Sequence, residues 1–220
     1  LSQAFFDINP VLLDQADLDI TDKEQVFNKI KKISPQIIIN CAAYTDVDGC
    51  ETNKDLALKV NGKAVGYLAE IAKSLDIILV HISTDYIFNG KKQAGYNEYS
   101  QDIEPVNFYG QSKLQGERVL QKKNNKFYLI RTSWLYGKHG KNFVETMLKL
   151  AREKEQLKIV NDQFGRPTLT IDLAKQIRYI LDSQLAFGIY HITNETKDGG
   201  ISWYDFGQKI FDLAKVDVKV

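Results

Sequence analysis

The sequence predicts an α/β fold with a doubly wound parallel sheet. Short runs rich in Ile, Val and Leu alternate with longer stretches in which apolar residues recur at helical spacing. This alternation is typical of a parallel sheet covered by helices, and right-handed crossovers would give the doubly wound topology. The 220 residues, 44% hydrophobic and 26% charged, are enough for one globular domain with a second, smaller lobe.

The first half of the chain is predicted to contain three strands and three helices. The strands are residues 11–13, 37–39 and 77–82, and the second is apolar throughout, as in a strand buried on both faces. Asp22 is placed to cap the first helix. The helices follow apolar residues at helical spacing: Val26, Phe27, Ile30 and Ile33; then Leu56, Val60, Ala64, Leu68 and Ile71; then residues from about 106 to 120.

The second half continues the alternation. Residues 127–130, 157–160 and 189–192 have the composition of short strands. Helices are predicted over residues 144–151, through Leu173, Ile177 and Leu181, and over about 204–214. The loop of residues 88–105 is long for a compact domain, so we expect it to be either functional or mobile.

Composition excludes several classes of protein. The formal net charge is +1, from 29 basic and 28 acidic residues, whereas a nucleic-acid-binding protein needs a basic surplus for phosphate contacts. No apolar run approaches the roughly 20 residues of a membrane span, and no secretion signal opens the chain. Cys41 and Cys50 are the only cysteines, which favours a reduced, cytoplasmic protein over a disulfide scaffold. No ligand-like spacing predicts a metal site.

Chemically unusual residues follow two of the predicted strands, where ligands bind in a doubly wound sheet. Positions 83–86 place two hydroxyls, a carboxylate and a phenol after the strand at 77–82. Burying such groups is costly unless they pair or face a ligand, although an exposed turn would also explain them. Small residues after the strand at 37–39 would let the backbone approach a flat ligand. A tight strand-to-helix turn explains those residues equally well.

Tyr109 and Lys113 form a third cluster. Residues four apart lie on one helix face, so the Lys113 ammonium can approach the Tyr109 phenol. The pKa of a free phenol is near 10, and a neighbouring cation lowers it. Lowering it by ~3 units requires about 4 kcal/mol, which Lys113 and a cationic nicotinamide ring together could supply. The spacing alone is weak evidence, because chance produces about one such pair in a chain of this composition.

These clusters, with further ordered blocks, resemble the extended short-chain dehydrogenase/reductases, which act largely on nucleotide sugars. Within that superfamily the resemblance is closest to the dTDP-4-dehydrorhamnose reductases, and it covers nearly the whole chain. Any single block would be weak evidence, but the ordered set is highly specific. The blocks are residues 18–22, 40–48, 83–90, 109–110 with 112–113 and 116–117, 131–134 with 136–137, 142–144, and 162–163 with 165–168.

The resemblance implies a Rossmann-like fold and reduction of dTDP-4-dehydro-L-rhamnose to dTDP-L-rhamnose. Tyr109 would donate the proton to the sugar carbonyl as hydride arrives from NADPH or NADH. Lys113 would lower the pKa of Tyr109 and hold the nicotinamide ribose. Thr84 would hydrogen-bond the same carbonyl oxygen, with Ser83 as the fallback.

Further residues would contact the two ligands. Asp85 and Trp134 would face the sugar, and Asp14, at the end of a predicted strand, is placed for the adenosine ribose hydroxyls. That carboxylate would suit NAD, because it repels the 2′-phosphate of NADP. The remaining cofactor contacts implied by the resemblance are Asp19 and Ile20 beside the adenine, and Ala42, Ala43, Tyr44 and Thr45 along the cofactor. A dTDP-sugar is the expected small-molecule partner, and a homodimer is compatible with the resemblance.

The chain departs from the family pattern at both ends. The family opens with a strand and a Gly-x-x-Gly-x-x-Gly turn that binds the pyrophosphate, and nothing of that kind precedes Val11. Residues 1–6 instead match the tail of the first helix, and the only methionine is Met147. We therefore expect a fragment whose sheet lacks its first strand and whose substrate lobe is partial. The expected parts are a truncated dinucleotide-binding domain (1–140), substrate-lobe elements (141–170), a return to the main sheet (171–195) and a partial C-terminal substrate lobe (196–220).

Two alternatives to this reductase stay open. A sugar 4,6-dehydratase usually carries an acidic residue after Thr-Asp, where this chain has Tyr86, so simple reduction is favoured, though another nucleotide-sugar reductase or epimerase would share these motifs. A non-catalytic NADP-binding subunit, like the regulatory partner of methionine adenosyltransferase, also shares the fold and much of the pattern.

Overall fold

The computed structural model describes residues 1–196 and 199–220, which form two compact units. The sheet unit comprises Pro10–Arg131 and Leu185–His191, and the second unit comprises Leu1–Asn9, Thr132–Gln184 and Ile192–Val220. The elements in chain order are a 3₁₀ helix (Ser2–Ile8), α1 (Lys23–Ile33), β1 (Ile37–Asn40), α2 (Val47–Thr52), α3 (Lys54–Ala57), a π-helical turn (Leu58–Lys63), α4 (Ala64–Ser74), β2 (Ile78–Thr84), a 3₁₀ turn (Asp85–Ile87), α5 (Phe108–Lys123), β3 (Phe127–Thr132), β4 (Leu135–Tyr136), α6 (Phe143–Glu153), β5 (Phe164–Gly165), β6 (Thr168–Leu169), α7 (Thr170–Asp182), β7 (Gly188–His191), β8 (Ile201–Ser202) and α8 (Trp203–Ala214).

The main sheet has four strands in the order β1-β2-β3-β7. β1 pairs with β2 in parallel, with Ile37 opposite Ile78, and β3 pairs with β7 in parallel, with Leu129 opposite Ile189. The predicted Rossmann-like α/β fold with a parallel sheet is confirmed. β1, predicted to be buried on both faces, is only half-buried; among the described residues it lies at the edge of the sheet, beside β2.

The core of the sheet unit lies between its strands and helices α1, α4 and α5. The side chain of Asp22 accepts hydrogen bonds from the backbone of Glu24 and Gln25, so the predicted cap of α1 is confirmed. Apolar burial of this kind stabilises a fold by about 25 cal/mol per Å², and it fixes the strand ends that carry the polar clusters. The buried residues are Leu18, Val26, Ile30, Val65, Leu68, Ala69, Ile71, Ala72, Ile77, Leu79, Leu120 and Leu129.

The helix predicted through Leu56 and Ile71 is interrupted by the π-helical turn Leu58–Lys63. The wider turn places Asn61 and Gly62 in the interior. A Cβ atom at Gly116 of α5 would overlap the carbonyl oxygen of Asn61, so the glycine is what lets α5 approach this turn closely.

Two predicted strands are wrong. Residues 11–13 form no strand, and Val11 and Leu12 are 64% and 66% exposed, because no described strand lies beside them to supply the hydrogen bonds of a ladder. Residues 157–160 also lack a ladder. Their backbone contacts are separate hydrogen bonds, from the N–H of Leu157 to Lys219 and from the N–H of Tyr204 to Val160.

The second unit contains two small sheets, β4-β6 and β5-β8, with helices α6, α7 and α8. Residues 1–6, predicted as the tail of an α-helix, lie in the 3₁₀ helix, which the Arg178–Asp7 ion pair joins to α7 at 2.7 Å. No helix in residues 1–196 and 199–220 combines the length and apolar character of a membrane span. The core of the unit is formed by Met147, Leu157, Phe206, Ile210 and Phe211.

Candidate active site

The side chains of Thr84, the last residue of β2, and Asp85, the first residue of the following turn, are hydrogen-bonded to each other. Thr84 Oγ1 accepts a hydrogen bond from the Tyr86 N–H at 3.2 Å and donates one to Asp85 Oδ1 at 3.2 Å. Burial raises the pKa of Asp85 from 3.8 to about 6, although the Thr84 hydrogen bond opposes the rise. Within the polar cluster predicted here, Thr84 is therefore paired with Asp85, while Ser83 is paired with Glu117 of α5.

Tyr109 reaches this turn from the start of α5. Asn107 caps the helix by accepting from the Gly110 N–H at 2.8 Å, and a Cβ at Gly110 would overlap the carbonyl oxygen of Tyr86. The close approach brings the Tyr86 and Tyr109 rings to 5.6 Å, edge to face. Burial raises the pKa of Tyr109 to about 12, while a hydrogen bond with Thr84 acts in the opposite direction. Thr84, Asp85 and Tyr109 thus share one site.

Lys113 lies one turn further along α5 and is buried. Its Nζ donates to the carbonyl oxygen of Ile82 at 2.6 Å. Burial lowers the pKa of Lys113 to about 8, and the Glu117 carboxylate opposes that effect. In this structure the Lys113 ammonium donates to the strand backbone and burial is the largest cause acting on the pKa of Tyr109, so the lowering expected from Lys113 together with a cationic nicotinamide ring stays a prediction.

The loop after β1 is fastened to α5 by a residue that the sequence analysis missed. Asn61 Oδ1 accepts from the Tyr44 N–H and its Nδ2 donates to the Tyr44 carbonyl, both at 2.9 Å. Nδ2 also donates to Ser112 Oγ at 2.9 Å, and that hydroxyl donates to the Tyr109 carbonyl at 2.8 Å. The loop of residues 42–45 is therefore connected through two side chains to the backbone of Tyr109. A buried asparagine within an apolar helix would have been the signal.

The other predicted cofactor residues lie before α1. Asp14 does not end a strand, contrary to the prediction, because residues 11–13 lack a partner strand. Its Oδ1 instead accepts from the N–H groups of Ala16 and Asp17. Asp19 accepts from the N–H and hydroxyl of Thr21, and these hydrogen bonds lower the pKa of Asp19. Ile20 packs against the core of the sheet unit.

Trp134 belongs to the second unit, whereas the other predicted site residues belong to the sheet unit. Its ring stacks on that of Trp203, with centroids 3.4 Å apart and planes 8° from parallel. Its backbone is left-handed, with φ 46°, a conformation that costs most residues about 1–2 kcal/mol. Strained residues of this kind cluster at ligand sites.

Replacing Asp85 with asparagine should stabilise the protein near pH 8. Because the folded-state pKa is raised, the carboxylate destabilises the fold as pH rises through 3.8, and the effect is complete above about 6. A shift of that size corresponds to ~2–3 kcal/mol. Thermal unfolding should show a higher Tm near pH 8 and a smaller gain near pH 5. Asp217→Asn, at an exposed position, is the control, and an equal gain for Asp85→Asn at both pH values would contradict the explanation.

Comparison with known proteins identifies the family. Residues 3–220 match the family described as RmlD substrate binding domain. A dTDP-4-dehydrorhamnose reductase of Aggregatibacter actinomycetemcomitans is 44% identical over 207 residues, covering 92% of this chain and 69% of that protein. The chain belongs to the dTDP-4-dehydrorhamnose reductase family. A member of similar likeness, named dTDP-4-keto-6-deoxy-D-glucose reductase, comes from Streptomyces niveus and is 39% identical, covering 94% of this chain and 70% of that protein.

The three-dimensional structure of the chain is also similar to that of a solved member of this family. The crystal structure of dTDP-4-dehydrorhamnose reductase from Bacillus anthracis in complex with NADP has a TM-score of 0.93 and 41% identity, covering 100% of this chain and 78% of that one. At this similarity the strand ends and helix α5 have counterparts in a structure that was solved with a nicotinamide cofactor.

Proposed function

We propose that this protein catalyses the NAD(P)H-dependent reduction of dTDP-4-dehydro-L-rhamnose to dTDP-L-rhamnose, with Tyr109 as the proton donor. The observation that carries the proposal is the meeting of Thr84, Asp85 and Tyr109 at the carboxyl end of β2, with buried Lys113 one turn away. The family supplies the reaction type, since its relatives are named as reductases of 4-keto dTDP-sugars.

The Tyr109 phenol is protonated over the whole physiological pH range, because its pKa is about 12. It can therefore act as a proton donor. Reduction of a ketone generates an alkoxide, which is a stronger base than a phenolate, so transfer of the Tyr109 proton to the carbonyl oxygen is favourable. The Thr84 hydroxyl, which bonds the same turn, would orient the carbonyl oxygen beside the phenol. General acid catalysis of this kind typically contributes about 10²- to 10⁴-fold.

The residues present fit a nicotinamide cofactor, which supplies the hydride when bound. Lys113 has three N–H donors, and the described residues provide one acceptor, the carbonyl of Ile82. The others would hold the nicotinamide ribose. Ala42 and Ala43 leave room for a flat ligand at the end of β1, and the Asn61 hydrogen bonds hold the backbone of Tyr44 in place there. Asp14, Asp19, Ile20 and Thr45 complete the proposed cofactor contacts.

The sugar would be bound by Asp85 and by the indole of Trp134. An aromatic ring with one N–H donor suits a deoxysugar, which has both apolar and hydroxylated edges. We also propose that the protein is a homodimer and is located in the cytoplasm.

A spectrophotometric assay tests the function. The full-length protein is mixed with NADPH or NADH and dTDP-4-dehydro-L-rhamnose, and we expect loss of reduced-nicotinamide absorbance together with dTDP-L-rhamnose in the mass spectrum. dTDP-4-keto-6-deoxy-D-glucose is the matched second substrate and should be reduced more slowly. Faster reduction of that sugar would change the assigned substrate. Cofactor binding without turnover of either sugar would contradict the proposal and favour a non-catalytic subunit.

A further inference from the structure

Two neighbouring residues of β2 are bound by the same face of α5. Lys113 Nζ donates to the Ile82 carbonyl at 2.6 Å, and Ser83 Oγ donates to Glu117 Oε1 at 2.5 Å. Lys113 and Glu117 are four residues apart and therefore lie on one side of the helix. The strand is thus fastened to α5 at two points directly before Thr84.

Glu117 is itself held from a third element. It is 0% exposed, and its ion-pair partner Arg131 on β3 is 3% exposed. Arg131 donates from Nη2 to Oε2 at 2.8 Å and from Nε to Oε1 at 3.2 Å. With the Ser83 hydroxyl, the carboxylate accepts three hydrogen bonds, two of them from the Arg131 guanidinium. Glu117 therefore brings a negative charge into the interior one turn from Lys113.

The titratable groups that face Lys113 come from α5, β2 and the loop after β1. His81 on β2 is neutral, because burial and Lys113 lower its pKa well below the usual value. Desolvation raises the pKa of the Cys41 thiol, although part of its surface is exposed, so the thiol is protonated at neutral pH. Within the described residues, Glu117 is thus the anion that opposes the loss of the Lys113 proton.

We propose that Glu117 is a positioning residue for the reaction, one that keeps the buried Lys113 ammonium charged and, through Ser83, keeps α5 in register with the end of β2. The inference rests on the proposed reductase function. Since burial lowers the pKa of Lys113 to about 8, a further decrease would discharge the ammonium near neutral pH. Arg131 contributes by holding the Glu117 carboxylate in place.

The experiment compares pH profiles of kcat/KM for the full-length wild type and for Glu117→Gln, which preserves the shape of the side chain and removes its charge. The Glu117 charge raises the pKa of Lys113, and a neighbouring opposite charge typically shifts a pKa by about one unit or more. We therefore expect the alkaline limb to move to lower pH by about one unit, with a loss of up to tenfold above pH 8 and a much smaller loss near pH 6. General structural damage would lower activity equally across the pH range.

Glu70→Gln is the matched control, because Glu70 pairs with Lys123 of α5 and with Lys23 at the surface. It removes one carboxylate charge from α4, beside α5, and should leave the alkaline limb of the pH profile in place. If Glu117→Gln does not fold, the same pH profiles are measured on a double variant that carries both Glu117→Gln and Arg131→Gln. This variant removes both charges of the buried ion pair, so neither is left without its partner. Lys113 loses its anionic neighbour in the single and in the double variant. The alkaline limb of the pH profile should therefore move to lower pH in both.

The pH dependence of NADPH affinity, followed by fluorescence titration, is the second measurement. The pH above which binding weakens should also move down in the Glu117 variant, because Lys113 would hold the ribose. An unmoved limb in both measurements, with folded variants, overturns the inference. A wild type that binds NADPH and reduces no sugar at any pH would instead contradict the proposed function, while the binding titration still tests Glu117.

Discussion

Replacing Tyr109 with phenylalanine should lower turnover by about 10²- to 10⁴-fold and leave NADPH affinity nearly unchanged. The change deletes the hydroxyl that would donate the proton and keeps the ring that packs edge to face on Tyr86. Steady-state kinetics with the dTDP-4-keto sugar give the loss of turnover, and fluorescence titration gives the affinity for the cofactor.

Tyr99→Phe is the control for this substitution, since Tyr99 is 86% exposed in the loop before α5. It should behave as the wild type in both measurements. If Tyr109→Phe retained more than about half of the turnover, a general acid worth 10²-fold or more could not reside there, and another group would have to supply the proton.

Replacing Lys113 with methionine should abolish most of the activity while making the fold more stable. The folded-state pKa is lowered from 10.5 to about 8, so the buried ammonium destabilises the protein fully below pH 8, and this effect disappears as pH rises towards 10.5. The shift corresponds to about 3 kcal/mol, and loss of the hydrogen bond to the Ile82 carbonyl offsets about 1 kcal/mol of the gain. We expect a loss of kcat/KM of about 10²-fold or more and a net stabilisation on the order of 2 kcal/mol near pH 7.

Urea unfolding near pH 7 and near pH 10 measures the second effect, and the gain should be smaller at the higher pH. Lys122→Met removes a lysine from the exposed side of the same helix and should change neither activity nor stability appreciably. A Lys113→Met protein that is both inactive and clearly less stable than the wild type would mean that the lysine is needed for packing, and its assignment to the cofactor site would lose its support.

The fold was predictable because the composition of most strand residues differs clearly from that of the flanking helices and loops. Residues 37–40, 78–84 and 127–132 are largely apolar and lie between helical stretches, a composition typical of a parallel sheet. In residues 188–191 the signal is carried by Ile189 and Tyr190. The strand predictions at 11–13 and 157–160 failed for a common reason. A strand needs a partner as well as a suitable composition, and the local sequence does not encode the partner.

The site was predictable to the level of side chains but not of their partners. Thr84 and Asp85 stood out because polar groups at buried strand ends are costly, and Tyr109 because Lys113 follows it by four residues on one helix face. The partner of Lys113 is a backbone carbonyl, which has no signature in the sequence. Asn61 was missed although it precedes Ala64 and Leu68 by three and seven residues and so lies on the predicted buried face, because the sequence analysis followed only the apolar residues of that face. Its role depends on contacts with Tyr44 and Ser112, far away along the chain.

Helix α5 bears on how the enzyme can be engineered. Glycine inside a helix ordinarily invites replacement by alanine, which adds about 1 kcal/mol of stability. Alanine at Gly110 or Gly116 should not stabilise the fold, because the added methyl group would occupy the space of a backbone oxygen on a neighbouring segment. Thermostabilisation by helix-glycine replacement should therefore leave α5 alone. Natural variation faces the same limit: either position can change only if the neighbouring backbone moves, and that backbone belongs to the candidate active-site turn at Tyr86 and to Asn61.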